Sequence, residues 1–157
     1  MKYIVHTDGG ARGNPGPAAV GVVIEKQQET RDNKQETITL CKFGKRIGET
    51  TNNVAEYTAV IEALGEIKNQ ITNNKHKDKK SMTEIQFYLD SNLVVQQLNG
   101  IFKVKDPNLR KLFFDVRMLE HEVGGLVTYT YVPREQNKRS DYLVNQALDS
   151  RSHVSLL

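Results

Sequence analysis

The sequence predicts an α/β domain built on a mixed five-stranded sheet, three antiparallel strands followed by two more, flanked by helices. Three observations carry this. The first fifty residues hold three strand-like segments separated by turn-forming residues. Apolar residues then recur at steps of three and four, the spacing of one helix face. Beyond that helix, short apolar strands alternate with helical segments, an order that layers helices on a sheet.

Lys2–Asp8 reads as the first strand, running into a Gly-rich turn over Asp8–Pro17. Ala18–Gln27, rich in Val and Ile, reads as a strand returning against it, and Glu36–Ile47 as a third with partial alternation at Ile38, Leu40 and Phe43. Val54, Tyr57, Ile61, Leu64 and Ile67 form one apolar stripe of a helix that starts after Thr51 and runs to about Gln70. Asn53 and Glu56 fit the N-cap and N3 positions of a capping box. A polar, lysine-rich stretch over Asn73–Thr83 follows. Glu84–Asp90 is a compact strand, and Ser91–Asn99 a short helix stopped by Gly100. Pro107 opens a helix carried by Leu109, Leu112, Phe113, Val116 and Leu119 to Gly124. Leu126–Val132 is the fifth strand and Asn137–Asp149 the last helix. No repeat or linker divides the chain. One domain over residues 1–149, with a short tail over 150–157, is the expectation.

Composition narrows the function classes. The 157 residues suffice for one core, with roughly 68–70% of the unfolded surface buried at this size. A formal net charge of +3 suits a nucleic-acid partner only weakly. Cys41 is the single cysteine, which rules out an internal disulfide and fits a reducing compartment. The opening residues hold no apolar run of signal-peptide length, and nothing approaches a membrane span. A cytoplasmic protein without a membrane partner is expected, with monomer as the default.

Four acids fall at element ends: Asp8, Glu56, Asp90 and Asp141. Each has a purely structural reading. Asp8-Gly9 suits a hairpin turn, Glu56 a capping box, Asp90 a helix N-cap, and Asp141 the first turn of a helix dipole. The set reads differently. If the fourth strand lies parallel beside the first, Asp8 and Asp90 finish at one sheet edge, where ligands of such sheets bind. Four converging carboxylates push one another's pKa upward, and bound Mg²⁺ relieves them. Two such ions, roughly 4 Å apart, can activate water and stabilise the leaving oxygen of a phosphoryl displacement. No Ser–His–Asp order and no P-loop offers another chemistry.

At these residues the chain resembles the ribonuclease HI family. Thr7-Asp8-Gly9-Gly10, Arg12-Gly13-Asn14-Pro15-Gly16-Pro17, Thr50-Thr51-Asn52-Asn53-Val54-Ala55-Glu56, Leu89-Asp90-Ser91 and Asn137-Lys138-Arg139-Ser140-Asp141 match its pattern in order and spacing, from about Lys2 to Asp149. The resemblance implies an RNase H-like fold and an endonuclease that hydrolyses the RNA strand of RNA–DNA hybrids, leaving 5′-phosphate and 3′-hydroxyl ends. It implies Asp8, Glu56, Asp90 and Asp141 as catalytic metal ligands for two Mg²⁺ ions, with Mn²⁺ able to substitute. It further implies substrate contacts at Gly9, Asn14, Asn52, Asn53 and Asn92, where side-chain amides suit a 2′-OH and minor-groove base edges. Double-stranded RNA stays open as a second partner. A silent binding module and an exonuclease of the same fold are the rivals. The intact acids oppose the first, and Gly9-Gly10 after Asp8, in place of an Asp-x-Glu pair, opposes the second.

Two departures stand out. The basic, Trp-containing grip that many bacterial members carry before the last strand is missing: Gly100–Arg110 is short, the chain has no Trp, and only Lys103, Lys105, Arg110 and Lys111 lie nearby. Weaker substrate affinity is implied, with Lys75–Lys80 as a conceivable substitute. The loop from Tyr131 to Asp141 also lacks the histidine common in the family. Arg134 is the candidate for that position, binding the leaving phosphate and moving no proton.

Overall fold

The computed structural model of the chain describes residues 1–73 and 82–150. Five strands, β1 (Lys2–Ala11), β2 (Gly16–Glu29), β3 (Gln35–Thr50), β4 (Glu84–Leu89) and β5 (Leu126–Tyr131), form one sheet in the order β3-β2-β1-β4-β5. The β1–β2 and β2–β3 pairs are antiparallel, and β4 runs parallel to both β1 and β5. Helices α1 (Asn52–Asn73), α2 (Asn92–Leu98), α3 (Pro107–Val123) and α4 (Lys138–Asp149) complete the fold, with one 3-10 turn over Arg134–Gln136. The predicted mixed sheet is the observed one. The lysine run Lys75–Lys80 and the tail from Arg151 onward lie outside the described residues.

Strand alternation sorts the core into two faces. Tyr3, Val5, Val22, Ile24, Ile85 and Phe87 point to one side, where Tyr57, Leu64 and Ile67 of α1, Val94 and Val95 of α2 and Val116 of α3 pack on them. The other face carries a smaller cluster in which Ala19 meets Val144 and Leu148 of α4. Two strand glycines bring α4 down onto the sheet. A Cβ on Gly21 would lie 2.1 Å from the Ser140 carbonyl oxygen, and one on Gly44 2.3 Å from that of Leu143. Glycine in a strand interior marks this kind of close backbone approach.

Three expectations are corrected. The first strand does not end at Asp8: Asp8 and Gly9 pair with Gly21 and Val20 inside β1, so they form no hairpin turn. The capping box is not built. Thr51 caps α1, its Oγ1 accepting from Val54 N at 3.3 Å, which moves Glu56 past the N3 position. Asp90 is not the cap of α2, because Ser91 holds that place and accepts from Val94 N. For Asp8, Glu56 and Asp90 the structural readings therefore fall away.

Candidate active site

The last β1–β4 register pair is His6 with Tyr88. Asp8 and Asp90 lie two residues beyond each of these, at the carboxyl edge of two parallel strands, where the sequence places them. Glu56 arrives from the α1 side. A Cβ on Gly9 would stand 2.2 Å from the Ala55 carbonyl carbon, so only glycine lets the first turn of α1 lie against β1 beside Asp8. Asp141 arrives from the opposite face, one residue after Ser140, whose carbonyl oxygen sits over Gly21, the register partner of Asp8. Two glycines in neighbouring strands thus admit two helices, one per face, to a single carboxylate.

Carboxylate oxygens of Asp8, Glu56 and Asp90 all lie within 4.8 Å of one another. Asp8 and Glu56 are only 7% and 6% exposed. Burial is the main reason the Asp8 carboxyl is pushed up from 3.8 to about 7, with the Asp90 charge adding to it and Asp141 contributing further. Glu56 is held well above its ordinary value by burial first, then by the charges of Asp8 and Asp90. Burial also raises Asp90; the Arg134 guanidinium and the Asn137 side chain pull it back down. Asp141 is half-buried and stands outside the close trio, yet its charge reaches both Asp8 and Asp90.

Such an arrangement is costly without a counter-charge. Among the described residues, Glu56 Oε2 and Asp90 Oδ2 are buried with no hydrogen-bond partner. A buried carboxylate oxygen without a donor is rare, because the lost solvation is not replaced. Hard oxygen donors of this number and charge suit a divalent cation such as Mg²⁺. The residues present fit a metal ion.

The asparagines of the sequence motifs cluster beside the acids. Asn52 N donates to Asn14 Oδ1 at 3.0 Å, and Ala11 N donates to Asn52 Oδ1 at 2.8 Å. These bonds tie the β1–β2 turn to the start of α1, so Asn14 is more than a turn residue. Asn53 is half-buried in the first turn of α1. Asn92 is exposed at the start of α2, accepting from Gln96 Nε2 at 3.3 Å. Gly9 is buried beneath α1, and helix packing accounts for it. Arg134 is exposed on the 3-10 turn, close enough for its charge to act on Asp90.

No other histidine takes the vacant loop position among the described residues. His6 stacks on Tyr88 with ring centroids 5.1 Å apart, and burial lowers its pKa, with Arg139 acting in the same direction. It is a packed strand residue. His121 lies in the last turn of α3, and His76 and His153 fall outside the described residues. Sequence reasoning missed Gly21 and Asn137. An isolated glycine in a strand pattern was the available signal for the first; nothing local distinguished Asn137 from an ordinary helix cap.

A profile of the family described as reverse transcriptase-like matches residues 6–147. An RNase H1 termed LC11, isolated from compost by a metagenomic approach, is 42% identical in a crystal structure with an RNA/DNA hybrid; the match covers 94% of this chain and 96% of that one, with a TM-score of 0.75. RNase H1 from the archaeon Halobacterium salinarum is 36% identical, covering 95% of this chain and 98% of that one, again with a TM-score of 0.75. A bifunctional protein of Mycobacterium tuberculosis is 37% identical over 96% of this chain. The chain spans 36% of the length of that relative. The chain belongs to the type 1 ribonuclease H family.

Proposed function

We propose that this chain is an endonuclease that hydrolyses the RNA strand of RNA–DNA hybrids, with Asp8, Glu56, Asp90 and Asp141 holding divalent metal. The observation that carries the reading is the trio of carboxylates within 4.8 Å, two of whose buried oxygens have no partner. Mg²⁺ is the proposed ion, two per site, with Mn²⁺ able to substitute. When bound, such ions supply a nucleophilic water and stabilise the leaving oxygen of an in-line phosphoryl displacement.

The chain's own groups do the rest. Asp8 and Glu56, buried on β1 and α1, are fixed points of the site, whereas the half-buried Asp90 and Asp141 face solvent and substrate. Arg134 cannot act as a base at neutral pH. Its guanidinium, near enough for its charge to act on Asp90, binds the cleaved phosphate through paired hydrogen bonds. Asn14 and Asn52 spend their carbonyl oxygens on the clasp between turn and helix, which leaves their NH₂ ends to donate to ribose and base edges. Asn53, Asn92 and the Gly9 backbone complete the proposed contact line. No described helix is long and apolar enough to cross a membrane.

Cleavage of end-labelled RNA–DNA hybrid, double-stranded RNA and double-stranded DNA, each in Mg²⁺ and in Mn²⁺, tests the reading. The hybrid alone should be cut efficiently in Mg²⁺, within its RNA strand, to 5′-phosphate and 3′-hydroxyl products. Preferential cutting of double-stranded DNA, or shortening from one end only, would contradict it.

A further inference from the structure

Asn137 stands at the N-cap of α4 and makes no side-chain cap bond to its own helix. Asparagine is among the preferred N-cap residues because its carbonyl oxygen satisfies a free helix N–H. Here the side chain, in a residue 1% exposed, is turned elsewhere. Its Nδ2 donates to the Thr7 carbonyl at 2.9 Å, across 130 residues of sequence. Its Oδ1 accepts from Ser140 Oγ at 2.8 Å, and Ser140 Oγ also meets the Asn137 carbonyl at 3.1 Å.

The Thr7 carbonyl has a particular position. Pairing of β1 with β4 ends at His6–Tyr88, one residue earlier, and β4 itself stops at Leu89. A buried carbonyl just past the end of its neighbouring strand must find another donor. Asn137 supplies it, on the peptide that leads directly into Asp8. On the other side it fixes Ser140, next to Asp141. One buried amide therefore touches the peptide that leads into Asp8 and the residue beside Asp141, which come from two separate elements.

We infer that Asn137, with Ser140, is a positioning residue: a buried clasp that holds the first turn of α4 on β1 at the point where its pairing with β4 stops, and so sets the spacing of the metal-binding carboxylates. The inference rests on the proposed metal-binding role of those acids. The telling feature is where the amide goes: its oxygen takes the Ser140 hydroxyl and no backbone N–H of α4, and its NH₂ donates across to β1.

The test compares three variants with the full wild-type chain. Leu148→Ala removes a buried residue at the far end of the same helix and serves as the stability control. Mn²⁺ binding by calorimetry, melting temperature, and kcat and KM on a hybrid are measured for each, well below the lowest melting temperature. Asn137→Ala should weaken Mn²⁺ binding at least tenfold and lower kcat 10–100-fold, with KM changed less than threefold. Ser140→Ala, which keeps the bond to Thr7, should weaken Mn²⁺ three- to tenfold. Leu148→Ala should melt earlier with Mn²⁺ affinity within twofold of wild type. A folded Asn137→Ala with wild-type Mn²⁺ affinity, or a Leu148→Ala that loses as much affinity, overturns the clasp. Should Asn137→Ala fail to fold, an unchanged affinity in Ser140→Ala overturns it equally. Wild-type protein that binds Mn²⁺ but cuts no hybrid would defeat the proposed function, and calorimetry would still decide the role of Asn137.

Discussion

Replacing Asp8 with Asn separates a site carboxylate from a structural one through its dependence on pH. Asp8 is raised from 3.8 to about 7, mainly by burial and next by the charge of Asp90. The folded state therefore holds this proton more tightly than the unfolded chain does. Between about pH 4 and pH 7 the native protein binds more protons, so stability falls as pH rises through that window. At 1.36 kcal/mol per pKa unit, a rise of about three units amounts to about 4 kcal/mol, present below pH 4 and lost above pH 7. Asp8→Asn removes this dependence. A buried amide in place of the acid adds a fixed cost of about 1–3 kcal/mol if its hydrogen bonds are imperfect, but that cost does not change with pH. The measurable signature is thus a slope. In EDTA, the stability of the variant relative to wild type should improve by about 4 kcal/mol between pH 4 and pH 8, as read by urea unfolding at each pH. In melting temperature this is roughly 2–4 °C for each kcal/mol at this chain length. Mg²⁺ should restore wild-type stability at pH 8 and affect the variant far less. A stability difference that stays constant from pH 4 to 8 would refute the electrostatic account of the site.

Other outcomes follow from the same geometry. Arg134→Ala should slow turnover by roughly 10–100-fold, about 1.4–2.7 kcal/mol, without abolishing it, and steady-state kinetics on a hybrid would show full activity if the phosphate-binding role is wrong. Gly9→Ala should cost about 1–3 kcal/mol and most of the activity, because its Cβ would meet the α1 backbone at 2.2 Å. Gly10→Ala is the control, since its Cβ finds only Val144 Cγ1 at 3.6 Å, and equal effects in melts and assays of the two variants would undo the argument. Hybrid binding should weaken steeply between about 50 and 200 mM salt, with a log–log slope reporting only a few phosphate contacts. An affinity insensitive to salt would remove the electrostatic basis of binding.

Much of this architecture was legible in the residues. The three antiparallel strands and the mixed five-stranded sheet followed from the apolar segments. A fourth strand parallel to the first, taken there as a condition, is the arrangement that brings Asp8 and Asp90 to one edge. The order of the strands and the parallel pairing of the fifth were not read from the residues. Local rules misled where tertiary contacts decide the matter. Asp8-Gly9 looks like a turn, yet β2 pairs with β1 through both residues and carries the strand to Ala11. Asn53 and Glu56 are spaced as a capping box, yet Thr51 reaches Val54 N first. Asn137 was unreadable for the same reason. Its partner, the Thr7 carbonyl, lies 130 residues away, and only the fold brings the two together. Gly21 and Gly44 carry no chemistry of their own, and their purpose appears only once the carbonyls of α4 are seen above them.

Single-turnover cleavage of a hybrid with labelled RNA, run side by side with wild type and Asp8→Asn in Mg²⁺ and in EDTA, tests the central claim most directly. The account predicts that wild type cuts the RNA strand internally in Mg²⁺, leaves the DNA strand whole and does nothing in EDTA, while the folded variant is inactive in both. Cleavage by wild type that persists in EDTA, or by Asp8→Asn at the wild-type rate, would contradict a metal-dependent site built on these carboxylates.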